Sequence, residues 1–330
     1  MPSLRILRLC CLLVLLGPAS LPAVAGVLVA DILAAVATDR YVADVEALVG
    51  LGSRYYSAPG NAQATDHVRA AFADAGLSTQ DHRFDYGGYA LYNIEATLPG
   101  VLRPDDIFII GAHFDSIANR TPGNPSATNA PGANDNASGT AGVLEIARVL
   151  ARYEFESTIR FIGFNAEERG MIGSAAYAQD ALAVGERILG MITLDMIGNS
   201  YAGNDLAVIG DDWIVDLLVA NTRAFTNVPV RGWHEPPLWS DHEAFSALNY
   251  PGSASAMAIG DQLWELDPHY HTIGDTADRL DYDFAVGVTR GAAATMIALA
   301  GLYEPVPAPG GWLLLLPGLL ILWYRTRRHA

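Results

Sequence analysis

The sequence predicts a single α/β domain with a mixed, mostly parallel central sheet flanked by helices on both faces. Three observations lead there. Strand-like apolar runs alternate with helical runs along the chain, the pattern of crossover units that lay strands side by side. The 330 residues are 51% hydrophobic and 17% charged, a composition that builds a buried core. No segment repeats at a fixed period, which excludes solenoids and propellers.

Thr38 to Leu51 and Ala62 to Ala75 carry apolar residues at helical spacing. Thr38 is the expected cap of the first helix and Gly76 the stop of the second. Ser53 to Asn61, rich in Gly, Pro and Ser, is the loop between them. Strands are expected at Tyr92 to Leu98, Ile107 to Gly111, Ile159 to Phe164, Met191 to Leu194, Leu206 to Ile209 and Ala256 to Ile259. Helices are expected at Gly139 to Tyr153, Trp213 to Phe225 and Phe284 to Leu302. Sheets of this kind bind ligands at the carboxyl ends of their strands.

The domain is expected to span 26–304, with a processing segment on either side. Residues 1–25 combine Arg5 and Arg8, the apolar run Leu9 to Leu16 and Ala23-Val24-Ala25, the order of a secretory signal peptide. The alternative is a membrane anchor, for which the run falls short of the ~20 residues a spanning helix needs. Both cysteines, Cys10 and Cys11, sit in this segment, so the mature chain has neither disulfides nor thiolate ligands. At the other end, 305–330 hold the stiff spacer Pro305-Val306-Pro307-Ala308-Pro309, an apolar stretch from Trp312 to Tyr324, and Arg325, Arg327 and Arg328. That order resembles the PEP-CTERM type of bacterial sorting tail, although Val-Pro-Ala-Pro stands where the usual motif has a glutamate. A plain membrane anchor is the alternative. These features predict export through the inner membrane to an extracellular, cell-surface or periplasmic location, with sorting machinery as a partner of the tail.

All 20 basic residues are arginine, and the formal net charge is −16. Five of those arginines lie in the terminal segments and no acidic residue does, so the domain itself is still more acidic. Such a surface disfavours nucleic acid, and it favours solubility and cationic peptides.

Residues competent to bind metal recur where strands end. Ile107–Ala112 runs into His113-Phe114-Asp115, Ile159–Ala166 into Glu167-Glu168, and Met191–Leu194 into Asp195. Asp135 precedes a helix, and His269 and His271 share a polar loop. With no thiol present, imidazole and carboxylate are the donors left for zinc. His113 and Asp115, two apart on an extended segment, share a face, so Asp115 is placed to fix the ring of His113. Adjacent glutamates diverge, leaving one for metal and one for the attacking water. A pair of metals ~3.5–4 Å apart needs a bridging carboxylate, and aspartate is short enough to serve. Each signal also has a plain reading. His-x-Asp forms loop hydrogen bonds, Glu-Glu sits on solvated surfaces, Asp195 suits a turn, and Asn136 or Ser138 suits a helix cap.

Five segments together carry a family resemblance. They are Gly111-Ala-His113-Phe-Asp115-Ser116, Gly132-Ala-Asn-Asp135-Asn-Ala-Ser-Gly139, Asn165-Ala-Glu167-Glu168-Arg-Gly170, Leu194-Asp195-Met196 and His271-Thr-Ile-Gly-Asp275-Thr276. In this order they resemble metallopeptidase family 28, the bacterial leucyl aminopeptidase and aminopeptidase Y group, over Asp39 to Leu302. The resemblance implies a zinc exopeptidase fold and two zinc ions per chain. His113, Asp135 and Asp195 would hold one zinc, and Asp135, Glu168 and His271 the other. It makes Glu167 the general base and Asp115 the orienting residue, with a cis bond between Asp135 and Asn136. The motif following His271 selects it over His269. Asn134 stands where many relatives have aspartate, which lowers the local charge. Ser240-Asp241-His242 also resembles a family motif near the cleft. By itself it reads as a helix cap, and no strand elbow presents Ser240 as a nucleophile. His67, His82 and His234 are expected at the surface or in packing.

The function implied is aminopeptidase action on peptides. Alternatives on the same scaffold are a glutaminyl cyclase, a carboxypeptidase-type enzyme and a silent binding ectodomain. Trp233 and Trp239, within Val228 to Trp239, are candidate walls of a substrate pocket.

Overall fold

The computed structural model describes residues 28–198, 205–234, 240–259 and 267–303. The expected signal peptide, the tail from Pro305 and Trp239 lie outside the described residues. Eight strands form one sheet: β1 (Ser78–Tyr86), β2 (Tyr89–Leu98), β3 (Arg103–His113), β4 (Ser157–Phe164), β5 (Arg187–Leu194), β6 (Asp205–Gly210), β7 (Val230–Trp233) and β8 (Ser253–Ile259), in the spatial order β1-β2-β4-β3-β5-β8-β6-β7. The central four, β4-β3-β5-β8, are mutually parallel. Antiparallel pairing at β2–β4 and at β6–β8 makes the whole sheet mixed.

The parallel strands are buried on both faces, which is why they read as unbroken apolar runs. In β3, Phe108, Ile110 and Ala112 join the larger core with Phe161, Ile192 and Leu194. Ile107 and Ile109 point the other way, to Ile162, Phe164 and Met191. The larger core is covered by α1 (Thr38–Val49), α2 (Pro59–Asp74), α3 (Gly139–Leu150), α5 (Asp212–Phe225) and α7 (Tyr282–Ala300). The smaller is covered by α4 (Ile172–Ala183) and α6 (His242–Ser246). Helix α7 is apolar enough to cross a membrane by length and composition, but 72% of that stretch is buried inside the domain. The apolar character therefore belongs to the core.

The expected elements are present, with shifted ends. Thr38 is the first residue of α1 and not its cap. The cap position falls on Ala37, whose N–H donates to Glu145 Oε1 at 2.7 Å, so a buried carboxylate from α3 replaces the local hydroxyl. Four elements had no legible signal. Strand β1 is a largely exposed edge without apolar alternation, β7 and α6 are very short, and α4 is alanine-rich with little amphipathicity. The three histidines expected to stand alone each face aspartate: His67 faces Asp44, His82 faces Asp180, and His234 faces Asp212.

Glu145 is fully buried and also accepts from Arg40 Nε at 3.0 Å, tying α1 to α3. Replacing it with alanine leaves the Ala37 N–H and the half-buried Arg40 guanidinium without their carboxylate. Glu145→Ala should therefore lower stability by about 2–3 kcal/mol in urea unfolding. A change under about 0.5 kcal/mol would mean that this link contributes no more than an ordinary surface contact.

Candidate metal centre

Because β3, β4 and β5 run parallel, their carboxyl ends share one edge of the sheet. His113 ends β3, Glu167 and Glu168 follow β4 on a tight 3-10 turn, and Asp195 follows β5. Asp135 arrives from the irregular turn Ala133–Ser138, where Asp135 and Asn136 leave helical geometry and their peptide bond is cis. His271 comes from the loop ahead of α7.

Their side chains converge. Nε2 of His113 lies 3.2 Å from Asp135 Oδ1, 3.5 Å from Asp195 Oδ1 and 3.8 Å from Glu167 Oε2. Nε2 of His271 lies 3.0 Å from Asp135 Oδ2 and 2.9 Å from Glu168 Oε2. The two oxygens of Asp135 thus face opposite ways. Two donor groups result, His113–Asp135–Asp195 and Asp135–Glu168–His271, each with its donor atoms within 4.8 Å of one another. His269 joins neither. Its ring packs against Gly274, where an added Cβ would come within 2.6 Å of Nδ1.

Two aspartates fix the backbone that presents these groups. Asp115 accepts from the N–H of Glu167 (3.0 Å) and of Glu168 (3.2 Å), and its Oδ1 lies 3.4 Å from His113 Nδ1. The hydrogen bond of His113 Nδ1 goes to the Asp115 carbonyl at 3.3 Å, and the carboxylate's own hydrogen bonds go to the glutamate turn. Asp275 does the same for the turn of Asp135, accepting from the N–H of Asn134 (2.7 Å) and of Asp135 (3.0 Å). Asn136 pins the turn to β5. Its amide donates to Leu194 O at 2.8 Å and its Oδ1 accepts from Gly139 N–H at 2.8 Å, so it satisfies the first backbone amide of α3, although the cap position itself falls on Ser138. Gly139 is required there, since a Cβ would sit 2.1 Å from Leu194 O.

The electrostatics suit a bound cation. His113 Nε2 and Glu168 Oε1 are buried without a hydrogen-bond partner, an arrangement that is costly unless something else engages them. Burial pushes Glu167 well above the ordinary carboxylate range and pushes Glu168 up to about 8, with Asp135 adding to the rise. Burial alone would lower both imidazoles, yet Glu168 and Asp135 lift His271 to about 10, and Glu167 and Asp195 lift His113 well above its ordinary value. Protons stand in for positive charge that the donors call for. Nitrogen and carboxylate donors of this kind fit zinc.

Residues 93–296 match the model described as Peptidase family M28. The chain belongs to peptidase family M28. It is similar to the probable leucine aminopeptidase 1 of Trichophyton verrucosum (strain HKI 0517), 32% identical over 265 residues, covering 74% of this chain and 69% of the relative. The M28 fold is shared with a zinc aminopeptidase from Bacillus subtilis at TM-score 0.71 and 16% identity, covering 82% of this chain and 98% of that one. It is shared as well with the glutaminyl cyclase of Bacteroides thetaiotaomicron at TM-score 0.65 and 18% identity, covering 79% and 97%. As an M28 member the protein is a hydrolase of peptide bonds.

Sequence reasoning gave no role to Asp275, although its motif was legible. It also read Ser240-Asp241-His242 as a cap, which the structure corrects. No side chain of this segment caps α6, all three are fully buried, and none of the three side chains has a hydrogen-bond partner among the described residues. Ser240 and His242 therefore form no nucleophile pair. Asp241, pushed up to about 7 by burial, adds its charge to the field that raises Glu167.

In the metal-free M28 protein, Glu168 (about 8 against an ordinary 4.5) and His271 (about 10 against 6.5) both bind protons more tightly folded than unfolded. Raised values of this sort stabilise the fold at low pH, and the benefit is lost as pH climbs through them. The melting temperature of the metal-free protein should therefore fall between pH 6.5 and 8, where both windows overlap. Added zinc, which displaces protons, should raise it most at the alkaline end. A flat or rising metal-free profile would contradict the assignment.

Proposed function

We propose that this M28 peptidase is a two-zinc aminopeptidase that removes N-terminal residues from peptides. The observation that carries this reading is the pair of donor groups sharing Asp135, with Glu167 beside them and outside both. His113, Asp135 and Asp195 would hold one zinc, and Asp135, Glu168 and His271 the other. Bound zinc supplies Lewis acidity, bringing a nearby water into the acidity range of neutral pH and polarising the scissile carbonyl. Glu167 Oε2 takes a proton from that water and delivers it to the departing amine. Asp115 keeps Glu167 aimed by holding its N–H.

The aminopeptidase reading draws on the printed identity of the fungal relative and on two features of the site. Its excess of carboxylate suits a substrate ammonium. Beside it lies an apolar cluster of Met196, Ala207, Ile209 and Met257, packed with Trp233 and Tyr270. Met196 follows Asp195, and the Tyr270 ring stacks on His271 at 3.6 Å. An apolar flank of this kind favours an apolar N-terminal side chain such as leucine, with Trp233 as a candidate wall. Export, with removal of 1–25, a peptidase domain over 26–304 and sorting of the tail by a dedicated machinery, belongs to the same reading. Terminal sequencing of the mature protein tests it.

Glu167→Gln should retain zinc while losing about 10²–10⁴-fold in rate, and Asp135→Ala should lose zinc at both positions. Metal analysis beside kinetics on amino-acid anilides checks both, and an unimpaired Glu167→Gln enzyme would falsify the base assignment. The wild-type protein should carry two zinc ions, cleave leucine anilide faster than charged ones, and spare N-blocked peptides. One zinc with cyclisation of N-terminal glutamine would favour the cyclase reading instead, and cleavage from the carboxyl end the carboxypeptidase one.

A further inference from the structure

The loop between α1 and α2 brings Arg54 beneath the centre. Its side chain is fully buried, and among the described residues no carboxylate pairs with it. The guanidinium instead donates to four carbonyls: Nε to Phe114 O at 2.6 Å, Nη1 to Pro131 O at 2.6 Å and to Leu48 O at 3.3 Å, and Nη2 to Gly132 O at 2.8 Å. Phe114 separates His113 from Asp115, and Pro131 and Gly132 lead into Asp135. The backbone of Arg54 extends the pattern. Its N–H donates to Ser116 Oγ at 3.1 Å, and its carbonyl accepts from Asn61 Nδ2 at 2.8 Å. That amide group also donates to Asn165 Oδ1 at 2.8 Å, just ahead of Glu167 and Glu168. One residue thus touches, directly or through Asn61, the three loops that present His113, Asp135 and both glutamates. A buried guanidinium without a carboxylate partner is costly. Burial lowers Arg54 to about 10, and the groups that oppose this are Asp275, Asp115, Asp135 and Glu168.

We propose that Arg54 is a positioning residue that preassembles the metal centre, its planar fork fixing the loops of Asp115 and Asp135 and its charge offsetting the converging acids before metal arrives. The inference rests on the metal reading above. Lysine keeps the charge but has no planar fork, so Arg54→Lys separates geometry from charge, with Arg54→Gln as the uncharged companion. Zinc affinity is measured on the purified protein by competition with a chromogenic chelator, kcat and KM at saturating zinc, and melting temperature throughout. Glu145→Ala, remote from the centre, serves as the control for general destabilisation.

Both Arg54 variants should bind zinc about 10–100-fold more weakly, the range typical for groups that orient metal ligands. At saturating zinc, kcat should fall with little change in KM, while Glu145→Ala leaves zinc affinity unchanged. Arg54→Lys with wild-type zinc affinity and kcat overturns the proposal, as does a loss that merely matches that of the control. If Arg54→Gln does not fold, Arg54→Lys alone decides. A wild-type protein that binds no zinc overturns the metal reading and this proposal with it, a result visible without any variant.

Discussion

The constraint on which this site depends is mutual repulsion among buried acids. Asp115, Asp135 and Asp195 are buried, and Glu167 and Glu168 are largely so, all within a few ångströms of two imidazoles. Like charges so close cannot all remain ionised in a poorly solvated place without compensation. Against burial, the adjoining imidazoles of His113 and His271 hold the Asp135 carboxyl below the ordinary range, while the glutamates are driven up. Asp135 favours its ionised form, while the two glutamates and the two histidines favour holding protons. A divalent cation in each donor group would release those protons and remove the conflict.

Holding the acids together is the task of the backbone. His113 ends β3 and Asp195 directly follows β5, but the candidate ligands Asp135, Glu168 and His271 sit on irregular turns that helix and sheet bonds do not fix. Side chains that accept two successive N–H groups do it instead, Asp115 at the glutamate turn and Asp275 at the bridging turn. Each of these aspartates lies a few residues past a ligand histidine in the chain. Hence each histidine segment also anchors the turn carrying the carboxylates it faces. The parallel sheet contributes the common edge, and these clamps contribute the aim.

This division explains what the sequence makes legible. The central strands are visible because burial on both faces leaves a continuous apolar signal, and the ligands because they follow those strands in motifs. Edge strand β1 is not visible, since a solvent-facing edge imposes no alternation. Nor does Arg54 announce itself. An arginine in a loop of Gly, Pro and Ser reads as surface, yet all but one of the carbonyls its guanidinium meets come from residues 60 to 78 positions away. Asp275 lay within a recognised motif, but its partners are some 140 residues distant. Long-range bonds from a side chain to the backbone leave no local periodicity to read.

Charge bookkeeping also bears on which end of a peptide the site accepts. With two dications bound as proposed, their charge and that of Arg54 roughly balance Asp115, Asp135, Glu167, Glu168 and Asp195. What remains is the two buried carboxyl groups of Asp241 and Asp275. Near neutral pH the loaded centre is therefore neutral to negative. An arriving ammonium meets a favourable field and an arriving carboxylate does not. The apolar cluster between Met196 and Tyr270 then has a specific use. With the ammonium held by the field and the carbonyl near the metals, the first side chain of the substrate would lie against the apolar residues flanking the centre. End specificity in this reading needs no cap over the site, because it arises from the charge that the buried acids leave uncompensated.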